Sequence, residues 1–285
     1  MSSDVDVRAA IDSALEAMVR DWNTDEDAED AHEVDLARHR SLAPLRALPD
    51  DALARHVLPL LTSPRPEERA LVADVLRHAR AHEDDWPARV PEYATILLAL
   101  AERETDPTVL SACVAAFVDL ADPRGVALAA RHVRHADPAV RLTIAGMLGA
   151  YAATEPLAVT TLLSLSTDDD DDTRDWATFG LASCFFFERT VLDPHFLCAA
   201  LFARVEDPHD ACRGEAWVGL ARARDPRVIP LIHDALAGRR TCWLALEAIE
   251  EWPRREYLEA LARRPAPWGE RALRDAILAC EGASE

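Results

Sequence analysis

Lysine and glutamine are missing from the 285-residue chain, and asparagine occurs once, as Asn23. No fold requires such an exclusion. Codons for Arg, Ala, Pro and Gly are GC-rich and those for Lys and Asn are not, so the bias points to a GC-rich, bacterial coding sequence. Glycine is held to 9 residues and aromatics to 6%. Ala (53) and Leu (36) dominate instead, and because both are strong helix formers an all-β fold is excluded. No apolar run approaches the ~18 residues of a membrane span. Nor does the N-terminus carry the basic start of a secretory leader, since Asp4, Asp6 and Asp12 have the wrong sign. The six cysteines stand singly, without a CxxC pair, as expected of reduced, buried thiols in a cytoplasmic protein. There is no GxSxG, no Gly-rich phosphate loop and no HExxH, which leaves nucleophilic catalysis without support.

What is present is acid. Asp and Glu number 51 against 31 Arg, so the formal net charge is 31 − 51 = −20. From Gly219 to Glu285, 11 Arg balance 11 acids, and residues 1–218 therefore carry the whole excess. Such a chain repels phosphate backbones, which excludes broad nucleic-acid binding and suits a basic protein partner.

Self-similarity organises the rest. VRLTIAGMLGA from Val140, TRDWATFGLAS from Thr173 and CRGEAWVGLAR from Cys212 align without gaps on Arg141, Arg174 and Arg213. Relative to each Arg, positions −1, +3 and +7 are small or apolar and lie on one helical face. RRTCWLALEAI from Arg239 fits the same frame. Asp106-Pro107, Asp137-Pro138 and Asp207-Pro208 read as N-caps followed by proline at the first helical position. The acidic run Asp168 to Asp172 serves that purpose in the remaining repeat. Asp122-Pro123, Glu155-Pro156, Asp193-Pro194 and Asp225-Pro226 mark second helices between them. The starts are 31 residues apart (106 to 137) and then 70, or two repeats (137 to 207), which two helices of about 12 residues and two turns fill.

DPAVRLTIAGMLG, DDTRDWATFGLAS, DPHDACRGEAWVGLARARDPRVIPLI and DPTVLSACVAAFVDLADPRGVALAARHV together resemble bacterial HEAT repeats, including the HEAT-like proteins grouped with phycobilisome lyases. The resemblance runs from Asp106 to Leu261, with PEERALVADVLRHAR and VPEYATILLALAERE as a more divergent helix pair ahead of it. It implies an all-α, right-handed α-solenoid of about six helix pairs, with second helices lining a concave face. It also implies that an Asp of one turn bonds the Arg of a neighbouring first helix. Arg141, Arg174 and Arg213 match that Arg, whereas Leu110 replaces it in an earlier repeat. Residues 1–62 read as an N-terminal helical cap, with Val7, Ile11, Leu15 and Met18 on one face of its first helix and an acidic linker at 23–30. Residues 63–264 hold the repeats, and 265–285 form a C-terminal capping helix.

Candidate sites are few. Trp176 and Phe179 share a face where the other repeats carry Thr143 and Gly146, or Glu215 and Val218; they read either as packing at a repeat junction or as a binding anchor. As an anchor they would be flanked by Arg174, Asp175, Arg213 and Glu215. Cys184 is followed by three phenylalanines (185–187), either a contact ridge or a linker tucked against the next pair. The run Asp168–Asp172 lacks the spaced ligands and glycine of a cation loop and reads as a solvated turn. His78 and His82, at i and i+4, are the one arrangement that suits a mononuclear metal; His32, Asp35 and His39 share another face. HEAT-fold deoxyhypusine hydroxylases hold two irons through repeated His-Glu pairs, but here only His32-Glu33 and His82-Glu83 occur, outside that frame. Alkylpurine glycosylases of HEAT type use a basic groove that this charge excludes, and nothing marks a bilin site. The expectation is therefore a non-catalytic protein-binding scaffold without cofactor or metal, in its narrowest form an acidic inhibitor or immunity protein for a basic partner. A metal- or tetrapyrrole-dependent HEAT-fold enzyme or lyase-type accessory protein is the competing class.

Overall fold

A computed structural model describes residues 4–22, 31–77, 86–186, 191–239, 242, 244–263 and 270–283. All regular structure among them is helical: α1 (Asp4–Trp22), α2 (Ala31–Arg46), α3 (Asp50–Ala52), α4 (Pro66–Leu76), α5 (Trp86–Ala101), α6 (Pro107–Leu120), α7 (Arg124–Arg131), α8 (Pro138–Gly149), α9 (Pro156–Leu165), α10 (Asp171–Ser183), α11 (Pro194–Phe202), α12 (Asp210–Arg222), α13 (Val228–Leu236), α14 (Ala245–Glu251), α15 (Leu258–Ala262) and α16 (Glu270–Glu281). The chain divides into two compact units, Met1–Ala129 and Ala130–Glu285.

In the first unit α1 packs on α2 and α4, α4 on α6, and α5 on α6. The face of α1 formed by Val7, Ile11, Leu15 and Met18 is buried, as its spacing requires. Arg38 of α2 ties this assembly, donating to Asp21 at 2.8 Å and to the buried Asp74 at 2.6 Å.

The second unit is a row of stacked first helices, α8 on α10, α10 on α12, α12 on α14 and α14 on α16. The second helices α9, α11 and α13 lie alongside, each touching its own first helix and the next. The −1, +3 and +7 positions are buried in all three aligned repeats: Val140, Ile144 and Leu148; Thr173, Ala177 and Leu181; Cys212, Ala216 and Leu220. Trp217 sits wholly inside and donates its indole N–H to the Val205 carbonyl at 3.4 Å. Small residues set how closely the first helices approach. A Cβ on Gly180 would lie 3.3 Å from the Gly149 Cα, and one on Gly219 would lie 2.8 Å from the Ala182 Cβ. Measured from each repeat's Arg, these are position +6 of one helix against position +8 of the helix before.

Two local expectations are corrected. Asp207 is not the N-cap of α12, which begins at Asp210 with His209 in the cap position; the Asp207 carboxylate instead accepts the His209 N–H at 3.0 Å. The frame from Arg239 also fails, because α14 begins at Ala245, after Gly238 with a left-handed φ of 74°. Asp106, Asp137 and Asp193 do cap their helices, accepting N–H groups of the first turn at 2.9–3.2 Å.

The helix approach yields a test. Gly219→Val drives two further carbons into Ala182 and Leu201 and is expected to cost about 1–3 kcal/mol, read as a lowered Tm. Gly146→Ala, whose added Cβ meets nothing closer than 3.9 Å, is expected to stabilise by up to about 1 kcal/mol through helix propensity.

Candidate functional site

The Arg at the fourth position of a first helix builds the turn beneath it and reaches the next. Arg141 donates from Nη1 to the His135 carbonyl at 2.8 Å, and from Nε and Nη2 to both oxygens of Asp168 at 2.8 Å each. Arg174 repeats this one repeat along, with the Asp168 carbonyl at 2.9 Å and the two Asp207 oxygens at 3.1 and 3.2 Å, and it also bonds Asp171. Arg213 reaches the Asp207 carbonyl at 2.6 Å and bonds Asp210 of its own turn. The first unit holds a copy that the sequence alignment missed: Arg69 donates to the Ser63 carbonyl at 2.8 Å and to both Glu104 oxygens at 2.8 and 3.0 Å. Its signal was present, since Arg69 follows Pro66 by the same three residues that separate Arg141 from Pro138.

Each receiving acid also accepts backbone N–H groups, so its carboxylate orders the turn it sits in. Burial works against ionising Asp168, Asp207 and Glu104, but the bidentate guanidinium and the N–H bonds outweigh it and hold all three below the ordinary carboxylate range. Arg174 is buried in these turn contacts and Arg213 is partly buried by its own. Within the acidic run, Asp168 bonds Arg141, Asp170 caps α10 through Thr173 at 2.8 Å, and Asp171 bonds Arg174.

Trp176 and Phe179, by contrast, project outward, 48% and 38% exposed, with ring centroids 5.8 Å apart in an edge-to-face pair. The Trp176 ring lies beside Gly146 of α8, where an added Cβ would be 3.9 Å from it. On the α12 side Asp175 and Glu215 are partly buried. Burial and the neighbouring Asp172 and Asp207 push the Asp175 carboxyl up against the pull of His209, and its Oδ1 is buried without a hydrogen-bond partner. Burial, then Asp175 and Glu247, raise Glu215 to about 7, with Arg222 only partly offsetting them. Beyond it, Arg222 lies 3.8 Å over the Phe186 ring and donates to Glu251 at 2.9 Å and Glu247 at 3.1 Å. Phe186 is 56% exposed, Phe185 is half-buried, and Phe187 lies outside the described residues. Sequence reading did not single out Arg222, Glu247 or Glu251, because their proximity to Glu215 arises from stacking α12 on α14.

Exposed aromatics also occur on second helices, at Phe196 and Phe202 of α11. The expected second-helix face and the expected Trp176–Phe179 anchor thus belong to different layers. Phe202 is already covered by Arg227, 4.5 Å from its ring and paired with Asp225.

Among the described residues no group of three or more His, Cys, Asp or Glu could hold a metal ion. His78 and His82 lie outside those residues, as do the side chains of His32 and Asp35. All six cysteines are buried and free, and burial pushes Cys184, Cys198 and Cys242 up to about 11 and Cys212 to about 12, where a thiol is no nucleophile. No described helix is long and apolar enough to cross a membrane.

Residues 94–182 match the family described as HEAT repeats. The X-ray structure of YibA from E. coli superposes with a TM-score of 0.66 at 16% identity, covering 99% of this chain and 98% of that one. The crystal structure of an engineered protein gives 0.52, also at 16% identity, over 98% and 80%. No curated protein matches the chain. The likeness establishes an all-α HEAT-repeat fold.

Two outcomes follow from the electrostatics. Arg174→Met removes the bidentate partner of the buried Asp207 and leaves it Arg204 at 3.5 Å and the His209 N–H, so it is expected to cost about 1.5–3 kcal/mol in denaturant unfolding. Glu215 is raised when folded, so the chain gives up stability as pH rises from the ordinary carboxylate range through about 7. Glu215→Gln removes that penalty: Tm is expected to rise at pH 8, by the equivalent of about 1–2 kcal/mol, and to change little at pH 5.

Proposed function

We propose that this HEAT-repeat chain is a non-catalytic protein-binding scaffold whose partner is basic. The observation carrying the proposal is the exposed Trp176–Phe179 pair set beside the partly buried acids Asp175 and Glu215, in a chain of net charge −20. Exposed aromatics clustered with charge are the usual anchors of an interface. The acids beside them favour a cationic partner and repel an anionic one. HEAT repeats typically mediate protein interactions, which supports the same reading. In its narrowest form the chain is an inhibitor or immunity protein that masks a cationic protein, and it acts in the cytoplasm. Arg174 and Arg213, consumed by the turns, drop out of the proposed face, leaving Trp176, Phe179, Asp175 and Glu215.

Capture from native lysate at low salt tests this, with wild type compared against Trp176→Ala/Phe179→Ala. Both side chains are substantially exposed, so the double variant is expected to keep its Tm within a few degrees. Its affinity for a specific basic protein should fall by about 30-fold or more, the loss of one hot-spot contact. Affinity of the wild type should drop steeply as salt is raised. A partner held equally by both forms, or binding indifferent to salt, overturns the proposal.

A further inference from the structure

The cation–aromatic contacts inside this chain follow one plan. Arg222 lies over Phe186 and bonds Glu251 and Glu247; Arg227 lies over Phe202 and bonds Asp225; Arg254 lies 5.3 Å from the Trp252 ring centroid and bonds Glu256. In each, a guanidinium stands over an aromatic face while a carboxylate takes its N–H groups. Trp176 and Phe179 with Asp175 and Glu215 supply the same aromatic and carboxylate parts. Asp175 and Phe179 are one helical turn apart on α10, and Glu215 faces Asp175 from the neighbouring α12. Among the described residues no guanidinium fills this arrangement: Asp175 and Glu215 form no ion pair there, Arg222 is held by Glu247 and Glu251, and Arg174 by Asp207 and Asp171.

We propose that this surface binds an arginine side chain of the partner, stacked on the Trp176–Phe179 pair with its N–H groups donated to Asp175 and Glu215. The proposal rests on the basic-partner reading and names the group that reading leaves open. Geometry favours arginine over lysine. Asp175 and Glu215 are partly exposed carboxylates on adjacent helices, two acceptor groups that a single donor would have to bridge. A planar fork with five N–H groups meets them while its face lies on a ring. An ammonium is a compact, strongly hydrated point charge that stacks on nothing. The groups facing Glu215 are Asp175 of α10, Glu247 of α14 and Arg222 of α12, so at neutral pH this acidic cluster retains a proton that an incoming guanidinium displaces. Arginine binding therefore releases protons.

Calorimetry with an arginine-rich nonapeptide and its lysine counterpart, in two buffers of different ionisation enthalpy at pH 7, tests the proposal. The arginine peptide is expected to bind at least ten-fold tighter than the lysine peptide and to release a fraction of a proton. Trp176→Ala/Phe179→Ala should abolish that preference. Glu215→Gln, independent of any effect of the aromatic variant on folding, should abolish the proton release and weaken the arginine peptide several-fold. Equal affinity for both peptides overturns the arginine site while leaving a basic partner in place. An arginine preference that survives both variants places it elsewhere and overturns the proposal. No binding of either peptide overturns the site as well, and the lysate capture then judges the basic-partner reading separately.

Discussion

The guanidinium of Arg174 belongs to two turns at once. One of its N–H groups closes the loop below its own helix on the Asp168 carbonyl, and the opposite edge grips both oxygens of Asp207 in the loop ahead. Every buried polar atom in that contact has a partner, which is what permits a charge pair in an interior where an unpaired ion costs several kcal/mol. Because the Asp207 carboxylate also receives the His209 N–H, the clasp fixes the entry angle of α12 as well as its distance from α10. The same device holds α4 to the turn before α6 and α8 to the turn before α10. Leu110 and His135 stand at the sequence positions that the arginine and its carboxylate hold elsewhere. The division of the chain into units falls between those residues.

With the turns fixed, the approach of the first helices is left to side-chain size. Gly149 against Gly180 and Ala182 against Gly219 bring the backbones near enough that a methyl group would have to displace something. That closeness keeps neighbouring first helices in register, and register decides which surface residues meet. Asp175, Glu215 and Glu247 lie on three different helices, yet stacking brings them close, where Asp175 and Glu247 raise the cost of ionising Glu215. A charged cluster of this kind weakens the fold at neutral pH, and a partner cation would relieve it.

Much of this was legible in the chain. Helical periodicity places Val140, Ile144 and Leu148 inward, and the aligned triplets from Thr173 and Cys212 likewise, because one helical face is a property of spacing alone. Proline after Asp marks helix starts at Asp106, Asp137 and Asp193 for an equally local reason. The failures are of a different kind. Asp207 looks like a cap in sequence, but its carboxylate is taken by an arginine 33 residues away. The segment from Arg239 carries a plausible pattern, yet Gly238 turns the chain and the helix waits until Ala245. Arg174 and Arg213 appear as surface charges next to Trp176 in a one-dimensional view; the fold spends both on turns. The outward direction of Trp176 and Phe179 has no local signature either, since burial of an aromatic depends on what the neighbouring helix offers.

The clasp has a direction along the chain. In each case the arginine comes first and its carboxylate follows, 35, 27 or 33 residues later. During synthesis the donor leaves the ribosome ahead of its acceptor, so each emerging turn meets a guanidinium that is already outside. The open end always faces the part not yet translated. Arg213 keeps the same hold on its own turn, through the Asp207 carbonyl and Asp210.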